Sequence, residues 1–462
     1  MKAADNHSHF VNLRKRFQTF EYLDYSFNIT DSSFFAKFTF RLNDDIIFHP
    51  SLEIPARNLY DFNSLPKAAL NNLVFHIGMV ELISYWKAAC PQKLIVKPHK
   101  LTNEQVAFWK KLYFNGLGEF FYLNNINTTE DDFMHIESEG DSTETFSVSV
   151  DENSVMVPVG GGKDSVVTLE LLKEFGDKVI PMAMNPREAV VRSIENAGFS
   201  VEEMVVVKRT LDKKLLELND QGFLNGHTPF SALLAFVTSL TAVVSGIKYI
   251  ALSNESSANE STVPGSNINH QYSKSFEFEH DFNSYFSKYI TSDIHYFSFL
   301  RPLNELQIGA LFSLFNHHYY SFRSCNVGSK TDSWCGHCSK CLFVRTILGP
   351  FIKTETLTAI FGKELFGDVS LMPVFHELTG VAAVKPFECV GTPDEVNASL
   401  QYIIHSWNGS LPALLKEYPA SEDGGHDLKM LLSEFNNRHF VPEKYLTILK
   451  NSLKKIALNP EA

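Results

Sequence analysis

One short segment of the chain combines a flexible turn with a cation, a carboxylate and a hydroxyl. It follows the apolar run Val155–Val159 and precedes a stretch whose apolar residues recur at helical spacing, so the pattern predicts a strand, a turn and a helix. A glycine turn lets several backbone N–H groups and the helix N-terminus approach one anion closely. We therefore predict a phosphate-binding loop, formed by Gly160, Gly161, Gly162, Lys163, Asp164 and Ser165.

This loop differs from the common P-loop, because Val157 stands where that motif requires glycine and Asp164 follows the lysine. It resembles the pyrophosphate loop (PP-loop) of the N-type ATP pyrophosphatases, in which a glycine-rich turn after a strand leads into Asp-Ser. The resemblance implies that ATP binds with its pyrophosphate in the Gly160–Ser165 loop. It also implies Asp164 as a ligand of Mg²⁺, which neutralises charge on the departing pyrophosphate. The alternative is a glycine turn that only opens a helix.

Four of the six cysteines fall within 17 residues and have the spacing of a metal site. Two successive C-x₂-C steps with a further thiolate upstream can complete a tetrahedral Zn²⁺ shell, and four protein ligands leave no position open for catalysis. His337 can replace one ligand. Non-ligating thiols, redox chemistry and an iron–sulfur cluster are the alternatives, whereas Cys90 is predicted to be a core residue. The predicted ligands of structural zinc are Cys325, Cys335, Cys338 and Cys341.

Polar residues follow the predicted strand Tyr249–Ser253. Asn254 and Glu255 come directly after it, and ligands of parallel α/β sheets bind at the carboxyl ends of the strands. We therefore predict that Asn254 contacts the nucleotide and that Glu255 is a base or a Mg²⁺ ligand. The alternative for Glu255 is a solvated loop carboxylate.

Other polar residues are candidates for proton transfer or anion binding. His270 is a candidate acid–base group, and Lys274 can bind a carboxylate or a phosphate. His227 is expected either to contact ATP or to cap the helix that follows it. Arg301 is a candidate anion clamp or a salt-bridge partner, and Cys389 is either an acid–base thiol or a buried inert one.

The pattern of predicted elements indicates an α/β protein. Residues 1–150 are predicted to form an α+β domain, with a possible role in substrate recognition, in which Phe20–Thr30 and Phe34–Leu42 are paired strands and Leu70–Cys90 is helical. Strands alternate with helices over 151–345, which predicts a parallel sheet with helices on both faces and, by resemblance, the PP-loop (HUP-like) fold. Residues 346–462 are predicted to be mainly helical and to complete the substrate site.

Composition narrows the class of partner. The formal net charge is −12 over 462 residues, and the absence of a basic stripe argues against nucleic acid. The N-terminus lacks the apolar segment of a signal peptide, so we expect a cytoplasmic protein. Pro229–Ile247 is uncharged but is predicted to be a buried helix that leads into a strand rather than a membrane span.

Six further segments resemble the UDP-N-acetylmuramoyl-L-alanyl-L-glutamate epimerase family. The resemblance implies an ATP-dependent enzyme of peptidoglycan synthesis that adenylates the terminal L-Glu of a small nucleotide-sugar peptide and inverts it to D-Glu. The alternatives are another PP-loop adenylating enzyme, such as a deazaguanine nitrile synthase or an amidating ligase, and an ATP-binding regulatory protein without turnover. The oligomeric state is open. The segments are Gly226–Leu233, Ala251–Thr262, Asn269–Glu279, Arg301–Gly309, Ser324–Asn326 and Lys385–Gly391.

Overall fold

The computed structural model describes residues 6–263, 265–266, 268–419 and 428–457. Over these residues the protein is a mixed α/β structure whose strands all lie before residue 299. The strands are β1 (Thr19–Ile29), β2 (Ser33–Leu42), β3 (Ile46–Phe48), β4 (Ser51–Pro55), β5 (Lys93–Val96), β6 (His135–Ser138), β7 (Asp151–Pro158), β8 (Lys178–Met184), β9 (Val205–Thr210), β10 (Ile247–Leu252) and β11 (His295–Ser298).

One α-helix precedes these strands, others lie between them, and helices form most of the regular structure after them. They are α1 (His7–Arg16), α2 (Lys67–Glu81), α3 (Ile83–Trp86), α4 (Asn103–Gly116), α5 (Gly118–Leu123), α6 (Glu130–Phe133), α7 (Lys163–Lys173), α8 (Glu188–Asn196), α9 (Lys213–Asp220), α10 (Phe230–Val244), α11 (Phe276–Tyr289), α12 (Glu305–Ser313), α13 (Ser339–Leu348), α14 (Thr354–Phe361), α15 (Met372–Thr379), α16 (Pro393–Ser406), α17 (Ala413–Glu417), α18 (Leu428–Ser433) and α19 (Glu443–Ala457).

The chain folds into two compact units, each assembled from three separate segments. The first unit contains Met1–Met156, Val205–Ile250 and Asn267–Tyr296. The second contains Val157–Met204, Ala251–Ser266 and Phe297–Ala462. The domain boundaries at 150 and 345 that the sequence suggests remain predictions.

The first unit contains a mixed sheet in the order β9-β4-β2-β1-β5-β6. β1 and β2 are antiparallel, with Phe20 opposite Leu42, which confirms the predicted pair of strands. β5 is parallel to β1 and to β6, so the acidic segment before residue 145 contains a paired strand. β7 and β10 are also parallel.

The sheet extends beyond the region in which parallel strands were predicted. Within 151–345, β9 also pairs with β4 of the N-terminal region in the antiparallel direction, with Glu53 opposite Lys208. The alternation of strands and helices along the chain reports only the connections within that region. It carries no information on an edge to which an earlier strand, here β4, has paired.

Aromatic side chains fill much of the first unit's core. Period-two alternation along β2 buries Phe34, Phe38 and Phe40. Helices α2 and α10 pack against each other in this unit. The predicted helix within Pro229–Ile247 is therefore confirmed as α10, and β10 follows it as expected. Among the residues that the structure describes, no helix is long and apolar enough to cross a membrane.

The second unit contains the carboxyl ends of four strands. Directly after β7, the Val159 N–H donates to Met182 O of β8 at 2.8 Å. After β11, the Phe299 N–H donates to Leu252 O of β10 at 2.7 Å. Helices α12, α13 and α16 pack together in this unit, and the predicted helical character after residue 346 is confirmed. This is the edge of a sheet at which α/β proteins bind ligands.

Candidate functional site

The predicted phosphate loop lies between β7 and α7 in the second unit, as the sequence indicates. Gly161 has φ +79°, and a Cβ built on it would lie 3.0 Å from Val190 N. A Cβ on Gly162 would lie 2.8 Å from Ser324 Oγ. Close packing within the protein therefore demands these two glycines. Gly160 differs, because it is exposed and a Cβ there would meet nothing within 4 Å.

Two side chains of this loop, those of Ser165 and Lys163, are buried in the protein interior. Ser165 is buried, and its hydroxyl donates to Gly162 O at 3.0 Å. Lys163 is only 1% exposed, and its ammonium forms ion pairs with Asp164 and Glu305. Burial acts to lower the pKa of Lys163, but the two carboxylates outweigh it and raise that pKa above its ordinary value. Lys163 thus carries a permanent charge at the start of α7.

Further buried carboxylates surround Glu305. Glu395 Oε1 accepts the Glu305 N–H at 2.7 Å, and Glu395 itself is 2% exposed. Burial raises the pKa of Glu305, an effect that Lys163 opposes and that Asp164 and Glu255 reinforce. Burial likewise raises the pKa of Glu395. This part of the second unit therefore holds a cluster of carboxyl groups around Lys163, and carboxylate oxygens are the ligands that Mg²⁺ prefers.

Glu255 lies at the predicted strand end but is buried rather than solvated. Only 5% of Glu255 is exposed, and its carboxylate accepts the Ser257 hydroxyl at 3.2 Å. Arg301 is fully buried and donates from Nη1 to Glu255 O at 2.7 Å. Asn254 Nδ2 donates to Ser298 Oγ at 3.0 Å. Arg301 thus fixes the backbone of the segment that carries Glu255. This contact is neither of the two roles predicted for Arg301, which were a salt-bridge partner and an anion clamp.

The four predicted zinc ligands converge in the second unit. The Sγ atoms of Cys325 and Cys338 lie 3.8 Å apart, as do those of Cys335 and Cys341. Zinc–sulfur bonds of about 2.3 Å in a tetrahedron place sulfurs about 3.8 Å apart. The Gly328 N–H donates to Cys325 Sγ at 3.1 Å, which stabilises a thiolate. The four cysteines therefore fit a tetrahedral metal ion.

His337 is not part of the convergent set that the described residues form. Its ring is exposed, and its Nδ1 lies 2.8 Å from Cys335 O. Cys325, the most distant ligand in sequence, completes the set instead. Cys90 is buried as predicted.

The cysteine cluster is joined to the glycine loop and to the loop of Cys389. The Arg323 N–H donates to Gly161 O at 2.8 Å, two residues before Cys325. Lys340, between the last two cysteines, donates from Nζ to Cys389 O. Cys389 is half-buried. A metal ion at the cysteines would thus stabilise both loops.

The first unit holds a different polar cluster, formed by Glu119, His227 and His270. His270 Nδ1 lies 2.5 Å and His227 Nδ1 3.4 Å from Glu119 Oε2. The two imidazole rings have centroids 4.6 Å apart. His227 does not cap α10, because Pro229 is the N-cap residue, the helix begins at Phe230, and no side-chain hydrogen bond caps it. The capping alternative for His227 is therefore wrong.

Two lysines act on this cluster. Burial, first, and then the charges of His270, Lys87 and Lys274 lower the pKa of His227 to about 4, with Glu119 opposing them. Lys87 donates from Nζ to Asn225 Oδ1 at 3.1 Å, and burial lowers the pKa of Lys87 to about 8. His227 is therefore neutral near pH 7, whereas Lys87 remains mostly protonated.

Sequence reasoning missed several of these residues. Glu119 and Lys87 lie in helical stretches with no motif, so only the tertiary structure identifies them. Glu305 and Lys340 stand inside Arg301–Gly309 and the cysteine segment, both of which the sequence singled out for other reasons. A charged residue in an otherwise apolar helical stretch, as Glu305 is in α12, was the available signal.

A glycine turn at the carboxyl end of a strand defines this protein as an α/β protein of the class that binds ligands at that edge. Its sequence matches the model of the MurL N-terminal domain over residues 11–299 and that of the MurL C-terminal domain over residues 321–424. The chain belongs to the MurL family.

Curated relatives support the same family. Each is named UDP-N-acetyl-alpha-D-muramoyl-L-alanyl-L-glutamate epimerase. The relative from Salinispora tropica is 33% identical over 342 residues, which are 73% of this chain and 74% of the relative. One from a Micromonospora species is 33% identical over 345 residues, 73% and 75% of the two chains. One from Xanthomonas oryzae pv. oryzae is 31% identical over 351 residues, which are 74% of this chain and 76% of the relative.

Proposed function

We propose that this protein is an ATP-dependent epimerase that converts the terminal L-Glu of UDP-N-acetylmuramoyl-L-Ala-L-Glu to D-Glu for peptidoglycan synthesis. Membership of the MurL family carries the proposal, because its curated relatives are named for this substrate and this inversion. The exposed glycine at the turn into α7 supports the use of ATP, since a phosphate can reach the backbone there.

The proposed chemistry explains why an epimerase needs ATP. The α-proton of a carboxylate is very weakly acidic, because its removal creates a dianion. Adenylation of that carboxylate, with release of pyrophosphate, removes the negative charge and allows the acyl group to accept the electron pair. A base then removes the proton, the opposite face is protonated, and water releases AMP and the D-Glu product.

We assign the nucleotide to the glycine loop of a PP-loop fold. Gly160 would face the pyrophosphate, and the N–H groups that open α7 would bind its oxygens. Mg²⁺ would neutralise the leaving pyrophosphate, with Asp164 and Glu255 as the carboxylates offered to it. Asn254 keeps its predicted contact to the nucleotide as part of the proposal, whereas His227 is not assigned to the nucleotide.

Structural zinc at Cys325, Cys335, Cys338 and Cys341 completes the proposal. The sulfur separations and the N–H···S contacts support thiolate ligation of a tetrahedral ion. The ion would join the glycine loop to the Cys389 loop through the contacts of Arg323 and Lys340. Metal analysis of the purified protein should give one equivalent of zinc. The same analysis of the Cys338→Ser variant should give less than 0.2 equivalent.

The decisive experiment follows two signals in one reaction. Purified protein, Mg²⁺, ATP and UDP-N-acetylmuramoyl-L-Ala-L-Glu are incubated in D₂O, and pyrophosphate release and deuterium at the glutamyl Cα are measured together. Both signals, with D-Glu recovered on hydrolysis, are expected. Pyrophosphate without deuterium would contradict the epimerase and favour another adenylating enzyme, and ATP binding without pyrophosphate would favour a regulatory protein.

A glycine pair tests the nucleotide assignment. Gly160→Ala should leave the melting temperature unchanged, because the added methyl group meets open space, yet lower pyrophosphate release at least 50-fold by obstructing the phosphate. Gly367→Ala is the matched control, since Gly367 also has no neighbour within 4 Å of an added Cβ. Asp164→Asn and Ser165→Ala should likewise abolish pyrophosphate release. Unchanged turnover in Gly160→Ala would mean that phosphate binds elsewhere.

A further inference from the structure

The cluster of Glu119, His227 and His270 has the geometry of a proton-transfer group. Both histidines present Nδ1 to the same carboxylate oxygen, at 2.5 Å for His270 and 3.4 Å for His227. A carboxylate that accepts from Nδ1–H selects the tautomer in which Nε2 carries the lone pair. Glu119 thus prepares the second nitrogen of the His270 ring to act as a base, and it lies within ion-pair distance of His227.

The surroundings of the cluster favour an anionic reactant. Lys87 and Lys274 both act on His227 as positive charges. Burial of the ring and these charges keep His227 neutral near pH 7, which is the state that accepts a proton. The same two ammonium groups stabilise negative charge that develops when a C–H bond is broken.

A divalent metal is the competing occupant of this cluster. Ligands at about 2.0–2.2 Å from one ion lie roughly 3 Å or more apart, whereas His270 Nδ1 and Glu119 Oε2 are separated by a hydrogen-bond distance of 2.5 Å. The two lysines also add positive charge where a cation would have to bind. Geometry and charge therefore both favour proton transfer over metal binding.

We propose that His227 and His270 form the group that removes the glutamyl Cα proton and that Glu119 is their positioning residue. The inference rests on the proposed epimerase function. The proton passes from Cα to an imidazole Nε2, and the electron pair enters the activated acyl group. A proton derived from water then adds to the opposite face, and the imidazolium returns the abstracted proton to water, so that no net proton is consumed.

The test uses the two-signal reaction with single variants of the full chain. His227→Gln and His270→Gln should each lower deuterium incorporation at least 100-fold while pyrophosphate release changes less than 5-fold. His280→Gln is the matched control, because His280 is an exposed histidine beside Asp281 in the same unit, and it should react as the wild type does. The histidines are changed separately, so that a folding failure in one variant leaves the other as the test.

Glu119 requires a readout that a structural role would not affect. Glu119→Gln should lower exchange about 10-fold to 30-fold, and Glu119→Asp should restore part of the rate. The carboxylate raises the pKa of His227 against the burial of the ring and the charges of His270, Lys87 and Lys274. Its removal should therefore shift the rising limb of the exchange rate to lower pH.

The outcomes separate this inference from the function on which it rests. A wild type that releases pyrophosphate without incorporating deuterium contradicts the epimerase itself. A wild type that gives both signals, with histidine variants that exchange at its rate, overturns only the assignment of His227 and His270. Equal losses of pyrophosphate release and deuterium incorporation in the histidine variants would mean that the cluster binds substrate. One equivalent of metal present in the wild type and absent from Glu119→Gln would mean that the cluster is a metal site. Either result overturns the proposal.

Discussion

Each unit contains a cluster of one glutamate and two histidines, and the two clusters differ in the partners that their carboxylates bind. Glu119, His227 and His270 form the cluster of the first unit, and Glu170, His317 and His318 form that of the second. In the first, one carboxylate oxygen faces both rings, and lysines act on His227 from outside the group. In the second, a lysine binds the carboxylate directly. The composition of a His–Glu cluster therefore does not determine its role.

The cluster of Glu170 has the properties of a structural contact. Glu170 is 2% exposed on α7, and its Oε1 lies 2.7 Å from His318 Nε2 and 2.9 Å from His317 Nε2. Lys173, three residues along the same helix, binds the other oxygen at 2.5 Å. Burial alone would raise the pKa of Glu170, but hydrogen bonds from His318, Lys173 and His317 lower it to about 2. Both oxygens have partners, so the group is fixed and stabilises α7.

The difference between the two clusters shows which property of a carboxylate indicates a role in proton transfer. A carboxylate whose two oxygens are both bound, as those of Glu170 are by two histidines and a lysine, holds its partners in place and stays ionised near neutral pH. A carboxylate that accepts from the Nδ1–H of an imidazole, as Glu119 does from His270, leaves the other ring nitrogen available as a base. The next experiments compare the two clusters directly.

The largest expected effect is on stability, in the cluster of Glu170. Glu170→Gln leaves His318 and Lys173 without their carboxylate, and loss of one partner of a buried ion pair costs about 3 kcal/mol. Glu119→Gln should cost about 1 kcal/mol or less, because its side chain is 11% exposed and forms no ion pair with a lysine in the part of the chain that the structure describes. Urea denaturation at pH 7 measures both free energies of unfolding. Equal losses would mean that the two clusters are equally structural.

A smaller effect should separate the two histidines that contact Glu170. The side chain of His318 is fully buried, whereas that of His317 is 46% exposed. His318→Asn should lower the free energy of unfolding by about 2 kcal/mol, because it removes a buried hydrogen bond and leaves a void. His317→Asn should lower it by about 0.5 kcal/mol or less. Thermal unfolding of the two variants is the measurement, and the reverse order would contradict the assigned burial.

The sequence predicted the glycine loop and the cysteine cluster because both are local. The glycines, Lys163 and Ser165 stand in six consecutive positions, and the C-x₂-C steps within Cys335–Cys341 are fixed by the reach of one turn. The strand before the loop and the helix after it follow from apolar periodicity. The ion pair of Lys163 with Glu305 was not predictable, since 142 residues separate the two and only the fold brings them together.

The histidine clusters show the same limit more strongly. His227 and His270 were identified as polar residues in loops, but their shared partner, Glu119, lies in α5 more than 100 residues earlier. His317 and His318 stand next to each other in the sequence, which gives no indication of Glu170. The pairing of β4 with β9 was not predicted for a related reason, because it joins two distant segments of the chain. Long-range pairing has no local signature in a single sequence.

The smallest expected effect is the acid dependence of the Glu170 cluster. A carboxyl whose pKa is lowered on folding, here from an ordinary value of 4.5 to about 2, contributes stability that is complete above pH 4.5 and disappears as the pH falls toward 2. The difference in the free energy of unfolding between wild type and Glu170→Gln should therefore decrease by about 1 kcal/mol between pH 7 and pH 3.5.

The same comparison for Glu119→Gln is the control, because Glu119 lacks the set of hydrogen bonds from His318, Lys173 and His317 that lowers the pKa of Glu170. Urea denaturation curves of the three proteins at several pH values measure these differences. A Glu170 difference that stayed constant to pH 3.5 would mean that the carboxylate is not selectively stabilised in the folded state. The contrast between a fixed carboxylate and an orienting one would then have to rest on the exchange kinetics alone.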